Sequence, residues 1–168
     1  MPEQYEMVDG KHKILLFRKY GNNSEAAKLV FQTEHTFEYN RDIDRIETKD
    51  GTVIKVGELE TNVDINAVQA KDDPVGDMLR QSVIEGEKLE LWEVTVDPKK
   101  EEDGKYPAIY TQGYLESWSD PAGIDEPEIT GTFNVEMQPQ FGMATLTEAQ
   151  QEAVQYEFRD TTAEEAGE

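Results

Sequence analysis

The chain has 168 residues, enough for one domain with a sizeable core and short for two. Its 37 acidic against 16 basic residues leave a net charge of −21, which repels nucleic acid and anionic membrane surfaces and excludes sequence-specific DNA binding. No cysteine is present, which removes disulfides and thiolate metal sites and is compatible with folding in a reducing cytoplasm.

The N-terminal "MPEQYEMVDGKHK" lacks a basic region followed by an apolar run. No stretch approaches the roughly 18 apolar residues of a membrane helix, so the expectation is a soluble, unprocessed chain. Residues 13–20, "KILLFRKY", and 27–33, "AKLVFQT", are short apolar runs on either side of the turn-prone "GNNSE" and predict two strands. "NRDIDRIETKDG" (40–51) follows as a dense, mixed-charge stretch between strand-like runs. From Glu58 to Ala67 the alternation is sustained. Leu59, Thr61, Val63, Ile65 and Ala67 face one way and Glu58, Glu60, Asn62, Asp64 and Asn66 the other, the pattern of a strand with one buried face.

The period then changes. Asp72, Asp73 and Pro74 precede apolar residues at Val75, Met78, Leu79 and Val83, and Gly86 closes the segment, which predicts a capped helix with one apolar stripe on the flank of a sheet. "KLELWEVTV" (88–96) and "YPAIYTQGYLESWS" (106–119) predict two more strands joined by the charged "DPKKEEDGK". Gly113 inside the second marks a bulge or a close backbone approach. Residues 128–138 alternate again, with Ile129, Gly131, Phe133, Val135 and Met137 inward. "TLTEAQQEAVQYEF" offers Thr147 as the cap of a short helix, and the closing "DTTAEEAGE" has almost nothing to bury. The fold class is mainly β, a β-sandwich or partly closed barrel with one flanking helix. A single domain over 1–160 carries a mobile acidic tail at 161–168.

No motif carries chemistry. With Asp42 and Asp44 at the first and third positions of a calcium loop, Ile46, Glu47 and Val53 occupy positions that need an oxygen ligand, a glycine and a bidentate glutamate. His12 and His35 lack ligand-spaced neighbours, and nucleophile elbows and phosphate loops are absent. The expectation is no enzyme, no metal and no cofactor. Trp92, Tyr110, Tyr114 and Trp118 read as packing aromatics or, alternatively, as the sugar platform of a free acidic carbohydrate-binding module. The acidic faces, Glu58, Glu60 and Asp64 with Glu128 and Glu136, read as a solvated side or as the lining of a channel that must not adhere to a polyanion.

The runs "ILLFRKY" (14–20), "AAKLVFQTEHTFEYNRDIDRIETKDGTVIKVGELE" (26–60), "YTQGYLESWS" (110–119) and "GMATLTEAQQEAVQYEFRDTT" (142–162) resemble, in order and over nearly the whole chain, the major tail protein or tail tube protein of long non-contractile-tailed phages (siphoviruses) infecting Gram-positive bacteria. The resemblance implies a structural virion protein. Its rings of six would join one sheet from each subunit into a 24-stranded inner barrel and stack into a tube that conducts the genome at ejection. It also implies partners in the tape measure, tail terminator and distal tail proteins, passage of DNA without specific binding, no membrane, and location in the virion tail after assembly in the host cytoplasm. Some relatives append an immunoglobulin-like domain, which is not expected here. The connector from Thr36 to Gly57 would reach the next ring through Arg41, Asp42, Asp44, Arg45, Glu47, Lys49 and Asp50, and the acidic strand faces would line the lumen.

Overall fold

Four consecutive apolar residues, Ile14, Leu15, Leu16 and Phe17, are all buried in strand β1 (Lys13–Lys19), so both faces of this strand are covered. The computed structural model describes residues 10–146 apart from 23, 30, 125 and 126. The helix expected from Thr147 and the tail expected at 161–168 lie outside the described residues.

β2 (Ala27–Lys28) pairs with β1 over only two positions, and β3 (Gln32–Thr48) then forms a long hairpin with β4 (Gly51–Val68). The single strand expected over 27–33 is therefore broken. Leu29 turns into the core and Phe31 takes a left-handed conformation (φ 56°), which carries the chain from one layer to the other. Helix α1 (Pro74–Glu85) agrees with its expectation. Asp73 caps it by accepting from the Val75 backbone N–H at 3.0 Å, and Val75 and Leu79 are buried against the core.

β5 (Leu89–Thr95) lies between β1 and β6 (Lys105–Ser119), and β7 (Glu128–Val135) and β8 (Gln140–Thr145) follow one another along the same side of β6. β7 is shorter than the run expected to 138. Met137 is left-handed (φ 56°) and 89% exposed instead of inward, and β8 was not anticipated. The order is β2-β1-β5-β6-β7-β4-β3, with every pairing antiparallel.

This one sheet curls over itself. Leu15 and Phe17 from β1 and Leu89 and Leu91 from β5 share a core with Val63, Ile65 and Ala67 from β4 and Phe133 from β7, and α1 covers one side. The result is the expected β-sandwich or partly closed barrel with a flanking helix. Its outer layer holds β2, β1, β5, the first half of β6 and β8. Its inner layer holds the second half of β6 with β7, β4 and β3.

β6 changes layer at Gly113, which pairs with both Leu89 and Val135. A Cβ there would overlap the Asn134 carbonyl, so the close approach expected at this glycine is real. Near the opposite seam, the Gln32 carboxamide accepts from the Leu15 backbone N–H (2.9 Å) and donates to the carbonyls of Leu15 (2.8 Å) and Leu29 (2.9 Å). One side chain thus makes the two bonds that a strand residue would make to β1, tying β3 to β1 where β2 has ended.

Replacing Gln32 by Leu strands the Leu15 N–H and C=O in a part-buried site. Unfolding of the monomer by urea should lose about 2–4 kcal/mol, and a loss near zero would show that the seam does not depend on this amide.

Candidate assembly surfaces

The stretch from Asn40 to Gly51 is neither a metal loop nor an irregular connector. It is the outer part of the β3–β4 ribbon, turned through Lys49 and Asp50, with the Thr48 hydroxyl donating to the Gly51 carbonyl at 2.7 Å. β-branched residues alternating with charges, followed by Asp50-Gly51, are a strand-and-turn signal that the charge density obscured. At the base the register slips between Arg41 and Ile43. Gly57 sits opposite Asp42 so closely that an added Cβ would lie 2.9 Å from the Asp42 Cβ, and Arg41 Nη1 donates to the Gly57 carbonyl at 3.0 Å.

Beyond this bulge the ribbon projects with no third strand among the described residues. Asp44 stands opposite Lys55, Arg45 opposite Ile54 and Glu47 opposite Thr52, and Arg41, Asp42, Lys49 and Asp50 are likewise exposed. Charge was the visible signal, but the structure adds Ile43, Ile46, Val53, Ile54 and Val56, between 46% and 58% exposed. Ile43 pairs with Val56, and Ile54 lies on that same face, while Ile46 and Val53 pair on the other. The alternation of β-branched residues in "DIDRIETKDGTVIKV" would have revealed them.

The outward face of the inner layer is polar and acidic. Its cross-strand rows set Glu34 beside Asn66 and Thr130, Thr36 beside Asp64 and Thr132, Glu38 beside Asn62 and Asn134, and Asn40 beside Glu60. Thr132 donates to Asp64 at 3.2 Å, Glu128 extends the face at one end, and no Lys or Arg occurs in these rows. Glu60, Asp64 and Glu128 therefore share a face as expected. Glu136 stands apart from it, past the end of β7 and 2.8 Å from Lys88, and Glu58 lies at the register slip, where no row pairs it. Hydrogen bonding to Glu136 holds the Lys88 ammonium above its ordinary range. The expected connector from Thr36 to Gly57 hid Glu38, and Glu34 falls between that connector and the strand expected at 27–33.

This layer has two open backbone edges. Among the described residues, β3 pairs only with β4, and once β5 has ended at Leu89, Tyr114 to Ser119 of β6 pair only with β7. Between the ribbon base and the break after β7 lies a cleft of about 950 Å³ lined by Arg41, Gly57, Leu59, Lys88, Tyr110, Glu136 and Met137.

Two buried carboxylates tie strands together, Glu93 between the layers and Glu90 within the outer one. Glu93 lies 2.7 Å from His35 Nε2 across the core and 3.9 Å from Lys13, while Glu90 receives Arg18 at 2.9 Å and the Tyr110 hydroxyl at 2.9 Å. Burial pushes the Tyr110 hydroxyl above its usual range; the bond from Gln112 opposes that rise and Glu90 reinforces it.

The aromatics weighed as a sugar platform do not converge. Trp92 is covered by the Arg18 guanidinium at 5.0 Å and leans on Tyr110, Tyr114 is on the inner layer, and Trp118 packs at the core beside Gly131. Among the described residues, no three His, Asp or Glu stand together as metal ligands, and no helix is long and apolar enough to cross a membrane.

A family model described as phage tail tube protein matches residues 7–141. A protein described as a tail protein of Staphylococcus phage phiMR25 is 32% identical over 168 residues, spanning 95% of this chain and 86% of that relative. Among solved structures, the chain is similar to the SPP1 tail tube, with a TM-score of 0.75 at 18% identity, covering 94% of this chain and 96% of that one. The tail of a gene transfer agent particle, refined helically with C6 symmetry, gives a TM-score of 0.63 at 13% identity, covering 81% of this chain and 99% of that one.

A ribbon of two strands without a third is marginally stable in water. In the monomer, amides of residues 43–56 should exchange with solvent about a hundredfold faster than those of 61–67, which sit in the core. Equal protection by NMR would show that the ribbon is stable without a partner.

Proposed function

The chain belongs to the phage tail tube protein family, and from that premise we propose that six copies of its single domain, residues 1–160, close into a ring whose inner layers form one 24-stranded barrel. As a member of that family it is a structural protein of the virion tail, not an enzyme, and it builds the tail tube.

The observation that carries the ring reading is the four-stranded inner layer with both edges open. Its strands alternate in direction, so β3 of one copy meets the β6 edge of the next in antiparallel sense, and an even number per subunit lets the alternation continue round a closed barrel. Closure pairs the edges that an isolated subunit leaves exposed. The C6 symmetry of the gene transfer agent tail supports the choice of six.

A barrel of this size keeps an aqueous bore, which the acidic face of Glu34, Glu38, Glu60, Asp64 and Glu128 would line. Carboxylates there repel DNA phosphates, so the genome passes without adhering at ejection. The β3–β4 ribbon reaches between rings. Its charged residues, Arg41, Asp42, Asp44, Arg45, Glu47, Lys49 and Asp50, supply weak pairs of about 0–1 kcal/mol each, and its five exposed β-branched residues supply apolar area. The tail is long and non-contractile. The tape measure, tail terminator and distal tail proteins are the other partners, and assembly takes place in the host cytoplasm.

Reversing Arg41, Arg45 and Lys49 to Glu should leave a folded monomer that no longer elongates, as read by circular dichroism and negative-stain electron microscopy; tubes of normal length would remove the stacking role of these charges. Changing Glu60, Asp64 and Glu128 to Lys should permit tubes but slow DNA release severalfold, and ejection at the wild-type rate from a phage carrying all three would rule out the lumen assignment.

A further inference from the structure

The two ends of the inner layer are complementary. At the end where Gln32 pairs with Ala67 and Ser119 with Thr130, two large apolar side chains stand in solvent, Phe31 at 62% and Ile124 at 106% exposure. Their segments are tied to the same turn, since Val68 N–H donates to the Phe31 carbonyl and Gln69 N–H to the Pro127 carbonyl, both at 2.9 Å. At the other end is the cleft of about 950 Å³, with Leu59 and Met137 in its lining and the apolar face of Ile43, Ile54 and Val56 rising beside it.

We propose that the Phe31 and Ile124 end of one copy seats in this cleft of the next copy along the strand direction, with the β3–β4 ribbon lying along its flank. The inference rests on the ring-stacking reading and adds the two surfaces that meet. They occupy opposite ends of the same four strands, so a displacement along the strands brings one onto the other. Such a contact is heterologous and leaves a free knob and a free cleft at the ends of every stack, as indefinite growth requires.

Charge favours the same polarity. The ribbon and its base, residues 41–58, carry four of the 16 cations against five carboxylates, close to neutral in a chain of net charge −21. Arg45, Lys49 and Lys55 make no ion pair among the described residues. Asp72 and Asp120 stand exposed near the knob end. A near-neutral end meeting an acidic one is repelled less than two acidic ends would be, so head-to-tail order costs less than knob against knob.

The absence of cysteine makes the test direct. Ile124→Cys protein is mixed with Met137→Cys protein, assembled into tubes and treated with a short bis-maleimide. β7, which separates the two positions, is about 25 Å long, too far for such a reagent to bridge within one chain. The expected product is a covalent heterodimer in tubes and none in the same mixture kept monomeric. Separately, Ile124→Asp should slow elongation about tenfold or more. Normal tubes without the heterodimer, or Ile124→Asp elongating at the wild-type rate, overturn this contact and leave ring stacking intact. Failure of the unaltered chain to form tubes overturns both.

Discussion

The backbone of Gly113 runs so close to Asn134 that any side chain there would overlap its carbonyl, and much of the molecule's arrangement follows from that approach. Because the strands can meet at this point, β6 leaves β5 and takes β7 as its neighbour without a break in its own chain. One strand thereby belongs to both layers, and the sheet can fold over the core that the two layers share. The same change of partner leaves Tyr114 to Ser119 with an open edge. A fold that satisfied this edge internally would have nothing to offer a neighbour, whereas this one presents two edges at the ends of one four-stranded unit.

Internal seams are treated differently from external ones. Between β1 and β3 the Gln32 amide makes the missing backbone bonds, and Glu93 with His35 joins β5 to β3 across the core. Removing one partner of such a buried pair costs more than forming it contributes, so these groups hold the layers in one relative position more than they add net stability. Among the described residues, the outward edges carry no such side-chain closure. The subunit is therefore internally fixed and externally incomplete, which suits a unit whose proposed final form is a ring.

A net charge of −21 would ordinarily oppose any assembly of copies. Its placement lessens that cost. The acidic rows of the inner layer lie on one outward face, where the proposed ring would turn them towards water and the passing genome. The ribbon is close to neutral and bears five exposed apolar residues, so this projecting segment is repelled less by another copy than the acidic face is. The open edges and the acidic face belong to the same four strands, and the proposed knob and cleft lie at the two ends of those strands.

Alternation alone was enough to place the inward face of β4, the stripe of α1 and most of β5, β6 and β7, because period-two and period-3.6 burial are written directly in the order of apolar residues. The acidity of the faces and the exclusion of catalytic and metal motifs were legible for the same reason, being properties of residue type and spacing. The family resemblance lay in runs of residues and needed no coordinates. The pairing of the Asn40–Gly51 stretch was written in its alternation and obscured by its charge, but three things came only from the tertiary structure: the break at Leu29 to Phe31, the separation of Glu136 from the other carboxylates, and the end-to-end relation of Ile124 and the cleft. Each depends on which backbone lies beside which, a matter of contacts between residues distant in the chain, and no local pattern of side chains encodes it.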